Sequence, residues 1–143
     1  MAVSELQVGE FLAALGERTP APASGAATAV TAAFAACLVE LAARFADDDA
    51  AVTRASALST RLTQLADEDA EAYAAFMETK SEEARRRTIE VPEEIAAKAD
   101  EVAELAADVQ SQLRSSVAGD AEAAAELART AARVARRLAQ LNA

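Results

Sequence analysis

Apolar residues recur along this chain at steps of three and four, the period of an amphipathic helix, and never alternate over the length of a strand. A first helix is expected over residues 4–15, where Val8, Phe11, Leu12 and Leu15 share one face. Ser4 and Gln7 have capping-box spacing and Gly16 suits the stop. Residues 17–24 read as a loop, because Pro20 and Pro22 push the residues before them into extended conformations. Ser24 is expected to cap a second helix running from Gly25 to about Phe45, whose first half is small and uncharged on every side. Such a helix belongs in the centre of a bundle. Asp47, Asp48 and Asp49 suit the positive end of a third helix reaching about Thr79. Its stripe is Leu58, Leu62, Leu65, Asp69, Tyr73 and Phe76, so a carboxylate stands where a leucine would fit. A fourth helix is expected from near Pro92, with a proline-containing helix from near Ser81 as the alternative. Its face is Ile95, Ala99, Val102, Ala106, Val109 and Leu113. Gly119 and Asp120 are expected to end it and to cap a fifth helix with Leu127, Ala131, Val134, Leu138 and Leu141 facing the core. No repeat or linker divides the chain, so residues 1–143 are expected to form one all-α domain, an antiparallel bundle of about five helices.

Composition sharpens this picture. Alanine fills roughly 42 positions and aromatics only 3%, so the helices can approach closely but each chain has few bulky groups to bury. That balance favours a homodimer. There is no histidine and one cysteine, Cys37, which excludes His-based triads, His/Cys zinc sites and an intramolecular disulfide. No metal is expected. A single cysteine and the lack of a secretory pattern suit the cytoplasm. The net charge of -10 disfavours nucleic acid and anionic membranes as partners. The uncharged run from Thr19 to Val39 approaches membrane-span length, but Pro20, Pro22 and Gly25 interrupt it and alanine makes it weakly apolar.

The candidate chemistry is sparse, and each feature has two readings. A carboxylate on an apolar stripe has a raised pKa and can exchange protons near neutrality, so Asp69 is either catalytic or half of a structural ion pair. Asp67 and Glu68 fall off the stripe and are expected in solvent. The segment Thr19–Gly25 is either an anion- or carbonyl-binding helix entrance or a rigid turn with a cap. Arg85, Arg86 and Arg87, and Arg129, Arg133, Arg136 and Arg137, either hold a carboxylate ligand or pair with surface acids. Cys37 is expected to be packed inside the second helix's buried surroundings.

Taken in order, several stretches resemble the cyclodeaminase/cyclohydrolase family of folate one-carbon metabolism. Phe11-Leu12 followed by Pro20-Ala-Pro-Ala-Ser-Gly-Ala-Ala-Thr-Ala29 is similar to that family's entry into its second helix, which Leu38-Val-Glu-Leu41 continues. Asp67-Glu-Asp-Ala-Glu-Ala-Tyr73 is similar to its acidic motif, Val91-Pro-Glu-Glu-Ile-Ala96 to its proline-headed helix, and Gly119-Asp-Ala121 to its aspartate–glycine segment. The resemblance implies an all-α homodimer that binds a tetrahydrofolate derivative as substrate, with no other cofactor. It implies release of ammonia from 5-formiminotetrahydrofolate or interconversion of methenyl- and formyltetrahydrofolate. Carried over residue by residue, it nominates Asp69 and Asp120 as catalytic carboxylates, with Pro22, Ser24, Gly25 and Thr28 lining the substrate pocket. The sequence departs from the family pattern: Ala23-Ser24-Gly25 replaces a triple glycine, Asp47-Asp48-Asp49 replaces a lysine-rich stretch, Arg133-Val-Ala-Arg-Arg-Leu138 replaces a motif with two asparagines, and the chain is shorter around residues 78–87 and before Asp120. A non-catalytic helical dimer that retains the fold with a degenerate ligand site is the alternative.

Overall fold

A computed structural model of the chain describes residues 2–114 and 116–143. After a short 3-10 turn at Val3–Glu5 come five helices: α1 (Val8–Gly16), α2 (Ser24–Phe45), α3 (Asp49–Thr79), α4 (Glu82–Gln110) and α5 (Val117–Asn142). Among the described residues there is no strand. Short connections reverse the chain between α2 and α3 and between α3 and α4, as antiparallel neighbours require.

The helices α2 to α5 form the bundle. α2 touches α3, α4 and α5, including its diagonal neighbour α4. That diagonal contact is open to α2 because Ala26, Ala29, Ala32, Ala35, Ala36, Ala42 and Ala43 are buried along it, with Val39 the largest side chain fully buried among them. By length and composition α2 could cross a membrane, and just over half of its apolar window is buried inside the bundle. Leu58, Leu62 and Leu65 of α3 and Val91, Ile95, Val102 and Val109 of α4 supply the bulk of the core. Between α3 and α4, Arg61 grips Glu94 with two bonds of 2.6 and 2.8 Å and reaches Glu68 at 2.6 Å, and Arg87 joins Glu68 at 3.1 Å.

Several sequence expectations are corrected. Helix α1 starts at Val8, with the capping box one frame later, between Gln7 and Glu10. Ser4 is not a cap: its N–H and Oγ both donate to the Asp67 carboxylate, at 2.9 and 2.5 Å, and tie the N-terminal segment to α3. Asp67 and Glu68 are therefore partnered rather than simply solvated. Helix α4 begins after Ser81, whose Oγ accepts from the Ala84 N–H, and carries Pro92 inside it. Gly119 and Asp120 lie within the first turn of α5 instead of separating α4 from α5, because α4 has already ended at Gln110. Helix α5 is turned relative to its expected face. Its buried residues are Ala121, Ala124, Ala125, Ala128, Ala131, Ala132, Ala135 and Ala139, whereas Leu127, Val134 and Leu141 are exposed. Close packing against α2 and α4 selects the small face over the bulky one. Cys37 is exposed, with its Sγ 3.2 Å from Ser59 Oγ.

Helix α1 buries none of its residues, and Val8 and Leu12 project into solvent. Phe34, Leu41 and Phe45 extend this apolar surface along the outer side of α2.

An alanine-lined seam cannot accept extra methyl groups without parting the helices. Replacing fully buried Ala99 by Leu is expected to lower stability by about 1–3 kcal/mol, measured by urea denaturation, although leucine is the more hydrophobic residue.

Candidate functional site

A cleft of about 380 Å³ opens where four helices and the α1–α2 loop meet. Thr19, Pro20, Ala21 and Ala23 of the loop form one side, with Ser24 and Gly25 at the start of α2. Asp69 and Tyr73 enter from α3, Thr88 and Pro92 from α4, and Leu138, Leu141 and Asn142 from the last turns of α5. Among the described residues no lysine or arginine lines it.

The start of α2 carries no side-chain cap. Its N-cap is Ala23, and Ser24 is the first helical residue rather than the cap expected from sequence. The first N–H groups of a helix lack intrahelical acceptors, and the helix dipole makes this end electropositive. Gly25, itself buried, brings this uncapped backbone close to α3: a Cβ built there would overlap all three atoms of the Asp69 carboxylate group. Glycine is thus required by proximity, not by backbone torsion.

Asp69 has no hydrogen-bond or ion-pair partner among the described residues, which removes the structural ion pair from its two sequence readings. Burial pushes its pKa up from 3.8 to about 6. Two opposing influences meet here. Desolvation favours the neutral acid, and the adjacent N-terminus of α2 favours the carboxylate. Both protonation states lie within reach near neutral pH, which is what a proton carrier needs.

The nominated residues divide. Asp69, Ser24 and Gly25 converge in this cleft. Pro22, on the far side of the loop after a cis Ala21–Pro22 bond, faces a separate depression with Asp67 and Glu71. Thr28 lies one turn into α2, its hydroxyl donating to the Ser24 carbonyl at 2.7 Å, and borders a shallow groove toward α5. Asp120 is 22 residues before Asn142 on the same helix, about 33 Å at a rise of ~1.5 Å per residue. One chain therefore does not bring Asp120 to Asp69. The arginine clusters are mainly taken up by pairing: Arg85 with Glu82, Arg87 with Glu68, Arg129 with Glu126 and Arg136 with Asp100.

Sequence reasoning missed Thr88 and Asn142. The Asn142 amide donates to the Thr88 carbonyl at 2.8 Å across 54 residues of sequence. The available signal was Pro92, four residues after Thr88. Tyr73, expected in the core, stands on the cleft wall one turn beyond Asp69. A second groove of about 380 Å³ runs between α1 and α2, but its lining, with Phe11, Leu12 and Phe34, is mainly apolar and holds no charged group among the described residues.

A bundle with a desolvated acid set against an open helix start defines a class of small-molecule site, and comparison with known proteins narrows it. The sequence profile described as formiminotransferase-cyclodeaminase matches residues 7–143, and the chain belongs to that family. Among solved structures, the crystal structure of formiminotetrahydrofolate cyclodeaminase from Thermotoga maritima superposes with a TM-score of 0.92. The two chains share 24% identity, over 98% of this chain and 79% of that one, so the likeness establishes the fold. No curated protein matches the sequence.

Two outcomes follow from this geometry. Gly25→Ala is expected to displace the Asp69 side chain, shifting its carboxyl resonance and titration in NMR spectra. A carboxyl whose pKa is raised on folding makes the folded state bind more protons than the unfolded one, so stability falls as pH rises from 3.8 through about 6. The loss should be on the order of 2 kcal/mol, allowing for partial exposure. Asp69→Asn is expected to remove that slope and to be the more stable protein above about pH 6, as read by urea denaturation across pH.

Proposed function

We propose that this chain binds a tetrahydrofolate derivative at the Asp69 cleft and acts as a cyclodeaminase or cyclohydrolase, with Asp69 carrying the proton. The observation that supports this most is the Asp69 carboxyl itself: desolvated, without a partner, and packed against Gly25 at the uncapped start of α2. An acid that costs stability and pairs with nothing is explained by chemistry better than by architecture.

Both reactions need a proton moved at one carbon. In cyclodeamination the ring-forming amine attacks the formimino carbon and loses a proton. The formimino nitrogen, an =NH, gains that proton and a second one from solvent and leaves as ammonia, with the methenyl cation as the other product. In the cyclohydrolase reaction water adds to the methenyl carbon and loses two protons as it becomes the formyl oxygen, one to the ring nitrogen that departs and one to solvent. Asp69 is suited to accept or return that proton, because its pKa of about 6 sits close to working pH. Uncapped N–H groups of α2 and the Ser24 hydroxyl would orient polar atoms of the substrate. The cleft suits one ring system rather than a whole folate, and with no basic residue in its lining the acidic tail would lie outside it.

The same reading makes the protein a cytoplasmic homodimer. Exposed Val8, Leu12, Phe34, Leu41 and Phe45 on α1 and α2 support association with a second copy.

Calorimetric titration with tetrahydrofolate and with 5-formyltetrahydrofolate tests the proposal. Micromolar binding that weakens at least tenfold in Asp69→Asn, with turnover controlled by a group titrating at about 6, is the expected result. Absence of heat with either ligand at millimolar concentration would overturn it in favour of a non-catalytic helical dimer.

A further inference from the structure

In an α-helix the carbonyl of residue 88 accepts from the N–H of residue 92. Here residue 92 is Pro92, which has no N–H, so the Thr88 carbonyl is left without its intrahelical donor. Thr88 is buried, and a buried carbonyl left unpaired is costly. The donor comes from another helix: Asn142 Nδ2 reaches the Thr88 oxygen at 2.8 Å. A second tie runs the other way, with Arg85 Nη1 donating to the Asn142 carbonyl at 3.3 Å and covering one of the open carbonyls that end α5. Thr88, Pro92 and Asn142 all line the Asp69 cleft, and the same turns of α5 present Leu138 and Leu141 to it.

We infer that Asn142 is a positioning residue for the cleft: its amide fills the hydrogen-bonding place that Pro92 vacates on Thr88 and so holds the last turn of α5 as the cleft's apolar wall. The tie fixes Leu138 and the largely exposed Leu141 in the cleft lining. Pro92 gives the fourth helix an acceptor directed at a neighbour instead of at itself, and Asn142 is the group that reads it. The inference deepens the reading of the cleft as a binding site and rests on it for the effect on ligand.

Among the described residues lining the cleft Asp69 is the only carboxylate, and the cation at the tie is Arg85, already paired with Glu82 at 3.0 Å. Asp69 therefore reports on the wall without needing a ligand. The experiment compares Asn142→Ala and Asn142→Gln with the unaltered protein by carboxyl NMR titration of Asp69 and by calorimetry with 5-formyltetrahydrofolate. In Asn142→Ala the wall opens to water, so the Asp69 midpoint is expected to drop from about 6 toward 3.8. Binding of the probe should weaken roughly tenfold, the equivalent of one hydrogen bond's worth of order. Asn142→Gln keeps the donor and should retain most of both properties. An unchanged Asp69 midpoint in Asn142→Ala would overturn the inference, as would Asn142→Gln behaving like the alanine variant. If the unaltered protein fails to bind the probe, the folate reading falls, while the Asp69 titration still decides the role of Asn142.

Discussion

How closely α2 can be approached sets the geometry of everything around it. Its buried face is mostly alanine, so α3, α4 and α5 all reach it, and the diagonal pair α2 and α4 touch as well. Close packing brings backbone toward side chain. At Gly25 the approach is tight enough that the Asp69 carboxylate occupies the space of a Cβ, and water is thereby excluded from one side of the acid. A wider bundle built on leucine would leave that carboxyl hydrated, with an ordinary pKa. The chemistry of the cleft thus follows from the size of residues that never touch a ligand.

Three polar arrangements keep this narrow bundle in register. The Arg61, Glu68, Glu94 and Arg87 set joins α3 to α4 across their partly exposed seam. Its bidentate geometry gives direction where apolar packing gives only attraction. At the opposite end of α4 from Gln110, the bond from Asn142 to Thr88 and the one from Arg85 to Asn142 fasten α5 to α4. Asp48, which caps α3 and accepts from Gln112 at 3.0 Å, links the other end of the bundle. Alanine interfaces slide easily because they lack interlocking knobs. Directional bonds at the seam and at both ends remove that freedom.

The legible parts of this molecule were those in which a local pattern breaks. Asp69 stands out because leucines precede it at helical spacing, and its place in a desolvated cleft agrees with that signal. The run of α2 was readable from the uncharged stretch that follows the prolines, and that of α3 from the aspartates at its start. The facing of α5 was not, because alanine is neutral in a periodicity argument. Leu127 and Val134 draw the eye, although Ala128, Ala131 and Ala135 are the residues that fit against α2 and α4. Pro92 read most naturally as a helix start, yet tertiary contacts sustain a helix through it. Thr88 and Asn142 were invisible because they matter only through each other. Asp120 was nominated by motif, and the length of α5 separates it from Asp69.

Tyr73 has a consequence of a different kind. It is the one tyrosine of a chain with no tryptophan, and it stands on the cleft wall a single turn from Asp69. Nearly all of the protein's ultraviolet absorption and emission above the phenylalanine band therefore originates at the cleft. The molecule carries a built-in optical reporter there, with no competing chromophore elsewhere in the bundle to dilute its signal.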